Sequence, residues 1–265
     1  MTGAGVFGPT VVKLGGSILE DDGLRGAALE AIAVRFTAGD RLVVVHGGGK
    51  RIDAMLARLG IPKRVEGGLR VTDAPTLDVV VSVLAGLVNK TLVAELRGRG
   101  VVAAGLSGAD GETLWAEFHP AVDGIDVGYV GRVVFSRREL VDAVLESGML
   151  PLVASVAVGR EGMLLNVNAD AAAAAIASGL RASRLVFLTD VEGVLDGFGD
   201  VLTRLDATTA RALLASPAVS GGMKPKLAAC MQALTAGVGE VVIAGPSRHA
   251  TVLADGVGGT HLVAA

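Results

Sequence analysis

A single cysteine, Cys230, in 265 residues leaves no internal disulfide and no multi-cysteine metal site, and it fits a reducing compartment. Aromatic residues make up only 3% of the chain, with one Trp and one Tyr, so platforms for stacking nucleic-acid bases are not expected. Neither sign of charge dominates. The formal net charge is −3 and no run of five basic residues occurs, so nucleic acids and anionic membranes lack an electrostatic footprint and any phosphate site has to be local. The longest apolar runs are of strand length or are broken by Gly and charge, which predicts no transmembrane helix. Met1 to Pro9 lacks the basic start and apolar core of a signal peptide, and a cytoplasmic protein is expected.

Apolar residues, 51% of the chain, and 38 glycines are what the sequence has in abundance. The apolar content fills a sizeable core and excludes disorder. Short β-branched runs alternate with amphipathic helical stretches, the signature of a mostly parallel sheet covered by helices on both faces. Val11 to Leu14 and Leu42 to Val45 read as strands. Between them Leu24, Ala28, Ala31, Ile32 and Phe36 recur at helical spacing up to Gly39. Ile52, Met55, Leu56 and Leu59 form another stripe, and a longer helix is predicted from about Pro75 to Leu96. Its stripe, Leu77, Val80, Val81, Leu84, Leu87 and Val88, is apolar enough to face both the sheet and a second subunit. Gly111 to Phe135 alternates as a hairpin does. Further on come a helix at Glu139 to Ser147 and a strand at Leu150 to Val156, then an alanine-rich helix after Asp170. Strands near Leu185 to Thr189, Val241 to Ala244 and Leu262 follow, with helices near Thr208 to Ala215 and Pro225 to Ala236.

Two glycine clusters directly follow predicted strands, Gly15-Gly16 after Lys13-Leu14, and Gly47-Gly48-Gly49 after His46. Each suits either an anion cradle of backbone N–H groups or merely a tight strand-to-helix turn. Neither is a standard nucleotide fingerprint. A P-loop would need Gly at 44 and Ser or Thr at 51, where the chain has Val44 and Arg51; a dinucleotide fingerprint would need Gly or Ala at 52, which is Ile52. Two such clusters at strand ends favour the cradle reading, because open α/β sheets bind ligands there.

Lys13 is a strand-end lysine beside the first cluster, and Lys226 follows Gly221-Gly222 in the first turns of a helix; both also suit the solvated surface. Asn166, Asn168 and Asp170 alternate, so an extended segment would project them to one side. Asp170 has a competing reading as the N-cap of the alanine-rich helix. Arg70 could hold a carboxylate with its planar fork, or simply pair with Asp73, which with Thr72 is a candidate cap for the long helix. His46, His249 and His261 lack metal-ligand spacing and are expected to pack or hydrogen-bond locally.

Taken in order, Val11-Val12-Lys13-Leu14-Gly15-Gly16, Val44-Val45-His46-Gly47-Gly48-Gly49, Gly68-Leu69-Arg70-Val71-Thr72, Asn166-Val167-Asn168-Ala169-Asp170, Leu188-Thr189-Asp190-Val191-Glu192-Gly193-Val194-Leu195 and Gly222-Met223-Lys224-Pro225-Lys226 resemble the amino acid kinase family throughout the chain, and within it the acetylglutamate branch. One departure lies at Ala244-Gly245-Pro246-Ser247-Arg248-His249, where many members carry Asp-Gly-Arg. The resemblance implies a carbamate kinase-like open three-layer αβα sandwich. It divides into an N-terminal lobe, residues 1–180, for the acylated amino acid and dimerisation, and a C-terminal lobe, 181–265, for ATP. It implies transfer of phosphate from ATP, with Mg²⁺ held mainly by phosphates and water, to the γ-carboxylate of N-acetyl-L-glutamate in arginine biosynthesis. The alternative acceptor is a carrier-bound α-aminoadipate or glutamate. Lys13, Lys226 and Asp170 are the implied catalytic residues, and Gly48, Gly49, Arg70 and Asn166 the acceptor-binding ones. Gly15, Gly16, Gly47, Asp190, Val191, Glu192, Gly193, Val194, Leu195, Ala218, Val219 and Ser220 are implied at ATP and its phosphates. A homodimer is expected, and one not inhibited by arginine. In that family arginine sensitivity goes with an extra N-terminal helix, which Gly3, Gly5, Gly8 and Pro9 disfavour here.

Overall fold

Runs of Val, Leu and Ile form the spine of the molecule. In the computed structural model, which describes residues 8–196, 198–216 and 222–263, the chain begins with β1 (Thr10–Leu14), α1 (Gly16–Glu20), α2 (Asp22–Thr37), β2 (Leu42–His46) and α3 (Gly49–Arg58). The hairpin β3 (Val65–Glu66) and β4 (Leu69–Arg70) leads into α4 (Ala74–Val81), a π-helical stretch at Ser82–Val88 and α5 (Asn89–Arg97), three segments of one long helix. Next come β5 (Ala103–Ser107), β6 (Trp115–Phe118), β7 (Val130–Phe135), α6 (Glu139–Glu146), β8 (Leu150–Ala154), β9 (Val156–Val158), β10 (Leu164–Val167) and α7 (Ala169–Gly179). The last part holds β11 (Arg184–Leu188), β12 (Arg204–Asp206), α8 (Ala207–Ala215), α9 (Met223–Thr235), β13 (Glu240–Ala244), α10 (His249–Ala254) and β14 (Thr260–Val263). Residues 1–7, on which the N-terminal expectation falls, and Ala218, Val219 and Ser220 lie outside the described residues.

The main sheet runs β12-β14-β13-β11-β1-β2-β8-β5, and its pairings are parallel except β13 with β14. Side chains alternate across it with the period of two that a strand imposes. Val11, Val43, Val45, Leu185, Phe187, Val241 and Ile243 join the core built with α7 and α9. Val12, Leu14, Val44, Val186, Leu188, Val242 and Ala244 join the opposite core, built with α2, α3 and the long helix. Both faces are thus covered, which explains the nearly continuous apolar strands.

The predicted hairpin is there as β6 and β7, but it is part of a small closed barrel, β10-β7-β6-β9. The expected single strand from Leu150 to Val156 breaks at Ser155, where the chain leaves the main sheet and enters this barrel. The long helix, Ala74–Arg97, is long and apolar enough by length and composition to cross a membrane, a property that reading interrupted apolar runs does not reveal. Val79, Val80, Val83, Leu84, Val88, Leu92 and Leu96 are nonetheless buried within the protein, in the core shared with the sheet.

His46 and Asn89 tie that helix to the sheet. Asn89 Nδ2 lies 3.0 Å from His46 Nε2, 3.0 Å from the Leu152 carbonyl and 3.1 Å from that of Leu106. His46 Nδ1 is 2.9 Å from the Gly47 carbonyl, so a neutral ring with its proton on Nδ1 satisfies both contacts. Burial pushes the His46 pKa down to about 4. The unfolded chain then binds the extra proton first as pH falls below the ordinary histidine value, and stability falls with it. From pH 7 to pH 5 His46 is expected to cost the wild type about 2 kcal/mol. Urea unfolding at both pH values checks this, because His46→Gln should lose correspondingly less; equal losses would mean that His46 does not titrate this way.

Candidate active site

The cradle turns are built by close approach. Gly15 caps α1 and its N–H donates to the Leu188 carbonyl at 2.8 Å; a Cβ there would sit 2.8 Å from that same oxygen. A Cβ on Gly48 would meet Leu84 at 2.9 Å and Val88 at 3.2 Å, both on the π-helical stretch, and one on Gly47 would come within 3.0 Å of Ala169. A side chain at Gly15 would run into backbone, and one at Gly47 or Gly48 would force its neighbours to shift. The same bareness exposes backbone at the start of α3, where the first N–H groups have no partner within the helix. Gly47, Gly48 and Gly49 line a cleft of about 240 Å³, together with Lys13, Gly16, Arg70 and Asn166.

At one end of the cleft lies an ionic array. Lys13 shares the face of β1 that carries Val11 and stands in register with Phe187 of β11. Its Nζ is 2.7 Å from Asp170 Oδ1, and Lys226 Nζ, from α9, donates to Asp170 Oδ2 at 3.2 Å. The three residues keep only 6%, 7% and 8% of their surface for Lys13, Asp170 and Lys226. Lys226 Nζ also lies 5.4 Å from the centre of the Phe187 ring. Neither lysine is the solvated surface group that the sequence alone allowed. Burial would raise the Asp170 carboxyl, but the ammonium groups of Lys13 and Lys226 hold it below the usual carboxylate range. Burial lowers the Lys13 pKa, as does nearby Lys226, against the opposing pull of Asp170. Two buried cations thus share one buried anion beside the cleft, with the more exposed Asp190 carboxylate also within electrostatic reach of both.

Asp170 is free for this because it is not the helix cap. α7 starts at Ala169, and Asn168 is its N-cap, accepting from the N–H groups of Asp170 (2.8 Å) and Ala171 (3.1 Å). The strict alternation of Asn166, Asn168 and Asp170 ends there, since the last of them is helical.

Arg70 does not pair with Asp73. Asp73 caps α4 through the N–H of Thr76, at 3.0 Å, and its ionic partner is Arg64. Arg70 instead folds back onto α3, with Nη2 2.5 Å from Asp53 Oδ1 and 3.1 Å from the Gly49 carbonyl. Asn166 Nδ2 donates to Thr72 Oγ1 at 3.1 Å, and that hydroxyl donates to the Arg70 carbonyl at 2.7 Å, so the two expected acceptor-binding residues are joined through Thr72. Leu84, Ser155 and Asn168 also line the cleft. Nothing local marks Leu84 or Ser155, whereas the alternation of Asn166 and Asn168 did point to the latter.

Asp190 to Leu195 follows β11 at the same end of the sheet. Burial would raise the Asp190 pKa, but its own backbone N–H, the Thr189 and Ser17 hydroxyls and Lys226 together hold it low. Val194 is buried and its N–H donates to Thr260 Oγ1 at 2.8 Å, so it anchors the segment; Val191 and Leu195 are exposed. Glu192 turns away to accept from Ser247 Oγ at 2.7 Å, which places the departing Gly245-Pro246-Ser247 stretch against this segment.

The family model that matches, the amino acid kinase family, spans residues 8–245. An acetylglutamate kinase of Agrobacterium fabrum is 45% identical over 253 residues, 92% of this chain and 86% of that one. Among solved structures, an N-acetylglutamate synthase from Neisseria gonorrhoeae, complexed with coenzyme A and N-acetyl-glutamate, superposes with a TM-score of 0.84 at 26% identity, over 97% of this chain and 59% of that chain. A carbamate kinase from Giardia lamblia bound to AMP-PNP shares the fold, with a TM-score of 0.75 at 14% identity over 98% of this chain and 99% of that chain. The parallel sheet, the glycine turns at its strand ends and these likenesses have one source: the chain belongs to the amino acid kinase family.

Proposed function

We infer that this chain transfers the γ-phosphoryl group of ATP to the γ-carboxylate of N-acetyl-L-glutamate, the reaction for which its acetylglutamate kinase relatives are named. The observation that carries the reading is the Lys13–Asp170–Lys226 array beside a cleft that also holds Arg70, Asn166 and the glycine cradle. Phosphoryl transfer asks a protein chiefly to align two anions and to stabilise charge spreading over the equatorial oxygens. Each ammonium spends one N–H on Asp170 and keeps others for those oxygens. The acceptor carboxylate is already ionised at neutral pH, so no general base is needed.

In this reading the acceptor lies along Gly48 and Gly49 with its α-carboxylate on Arg70 and its acetamido group near Asn166. ATP lies over Gly15, Gly16 and Gly47, with its nucleoside along Asp190 to Leu195 and Ala218 to Ser220. Residues 1–180 form the acceptor lobe and 181–265 the nucleotide lobe. In this reading Mg²⁺ arrives with ATP, held mainly by its phosphates and water, and would supply charge neutralisation there. ADP release measured over a panel of acceptors tests the reaction. Turnover of free N-acetylglutamate supports it, and turnover only of a carrier-bound α-aminoadipate or glutamate overturns it.

The half-exposed Leu87 on the long helix supports a homodimer formed through that helix, and the lone cysteine supports a reducing cytoplasm. Light scattering is expected to give two subunits, and Leu87→Glu to give one; a monomeric wild type refutes the proposal.

A further inference from the structure

Asp53 was not among the residues the motifs pointed to, yet two cations converge on it. Lys63, which precedes the β3–β4 hairpin, reaches Asp53 Oδ2 at 2.8 Å, and Arg70, at the end of that hairpin, reaches Oδ1 at 2.5 Å. The Arg70 guanidinium also donates to the Gly49 carbonyl. The carboxylate on α3 therefore grips both ends of the hairpin and turns the Arg70 side chain, only 12% exposed, into the cleft lined by the glycine cradle. Arg70 Nη1 is buried and has no hydrogen-bond partner among the described residues.

We propose that Asp53 is a positioning residue for acceptor capture. It holds Nη2, one edge of the Arg70 fork, and so fixes in one orientation the guanidinium that lines the cleft, where the acceptor's carboxylate would meet it. Lys63 steadies Asp53 from the other side, sharing its charge without touching the ligand. This rests on the reading that Arg70 holds the acceptor. A lone guanidinium on a two-residue strand would sample many rotamers, and the carboxylate removes that freedom before the ligand arrives.

The test is a double-mutant cycle in the full chain, run with whichever acceptor the panel identifies. Failure of wild type on N-acetylglutamate would therefore count against the proposed substrate and not against Asp53. Asp53→Asn is expected to raise the acceptor KM about tenfold, with kcat and the KM for ATP within about twofold. Arg70→Lys should raise the same KM, because a point charge lacks the fork, and Asp53→Asn added to it should change KM by less than about twofold more. Lys63→Met, which keeps the Asp53–Arg70 pair, should have an effect below about threefold and serves as the second variant if Asp53→Asn folds poorly. Independent, multiplying effects of the Asp53 and Arg70 changes, a rise in KM for ATP, or a loss of kcat at unchanged acceptor KM would overturn the proposal. So would a Lys63→Met effect as large as that of Arg70→Lys.

Discussion

Replacing Lys13 or Lys226 by Ala is expected to lower kcat by roughly a hundredfold to a thousandfold while changing either KM far less. Both ammonium groups already have a partner in Asp170, so the ground state does not depend on substrate to satisfy them. Their remaining N–H donors gain most when the phosphoryl group loosens and its charge spreads, which is the condition for an effect on kcat rather than on KM. The two positions differ in support: Lys13 is fixed in the central strand, whereas Lys226 stands four residues into α9 and leans on Phe187. Steady-state kinetics of both variants provide the check. A variant with near-normal turnover removes that lysine from the chemistry.

The second large effect falls on stability. Asp170→Asn leaves two buried ammonium groups sharing one neutral amide, and breaking a buried ion pair in this way costs about 3–5 kcal/mol. Urea unfolding at pH 7 should show this, along with loss of turnover. The pH dependence has a definite sign. In the wild type the depressed Asp170 carboxyl contributes at neutral pH, and its contribution is lost as pH falls through that lowered value. In the variant the lysines are the strained groups. Lys13 already binds its proton less tightly folded than unfolded, so the deficit should shrink as pH rises from 7 to 9. The double variant Lys13→Met, Asp170→Asn should regain part of the stability and none of the activity. An unchanged unfolding midpoint in Asp170→Asn would contradict the buried-charge account.

Features set by local sequence were legible; features set by long-range packing were not. The βαβ rhythm and the glycine turns could be read because Val11 to Leu14 and Leu42 to Val45 are short apolar runs followed directly by Gly. Lys13, Asp170 and Lys226 were recognisable only through the order of motifs, since 157 and 56 residues separate Asp170 from its two partners in sequence. The capping role went to Asn168 because α7 starts two residues earlier than the Asp170 reading assumed, a boundary that propensity does not resolve. Asp53 escaped notice because a helical Asp 17 residues before an Arg, 70 − 53, carries no pattern; the β3–β4 hairpin has to fold back before they meet. The π-helical stretch Ser82–Val88 left no trace in the apolar stripe either, although it is what presses Leu84 and Val88 against Gly48.

The two-sided sheet also decides where the chain tolerates a change in length. Lys13 reaches Asp170 only because it follows Val11 by two positions on the face of β1 that α7 covers. Deleting one residue between Thr10 and Leu14 would hand that face to the neighbouring side chains and swing an ammonium into the apolar layer beneath α2. An added residue in the exposed turn Ala38 to Asp40, at the opposite end of the strands, meets no such rule, because β2 can keep its pairing with β1. Along the strands, viable insertions and deletions would come in pairs; at the turns single ones suffice.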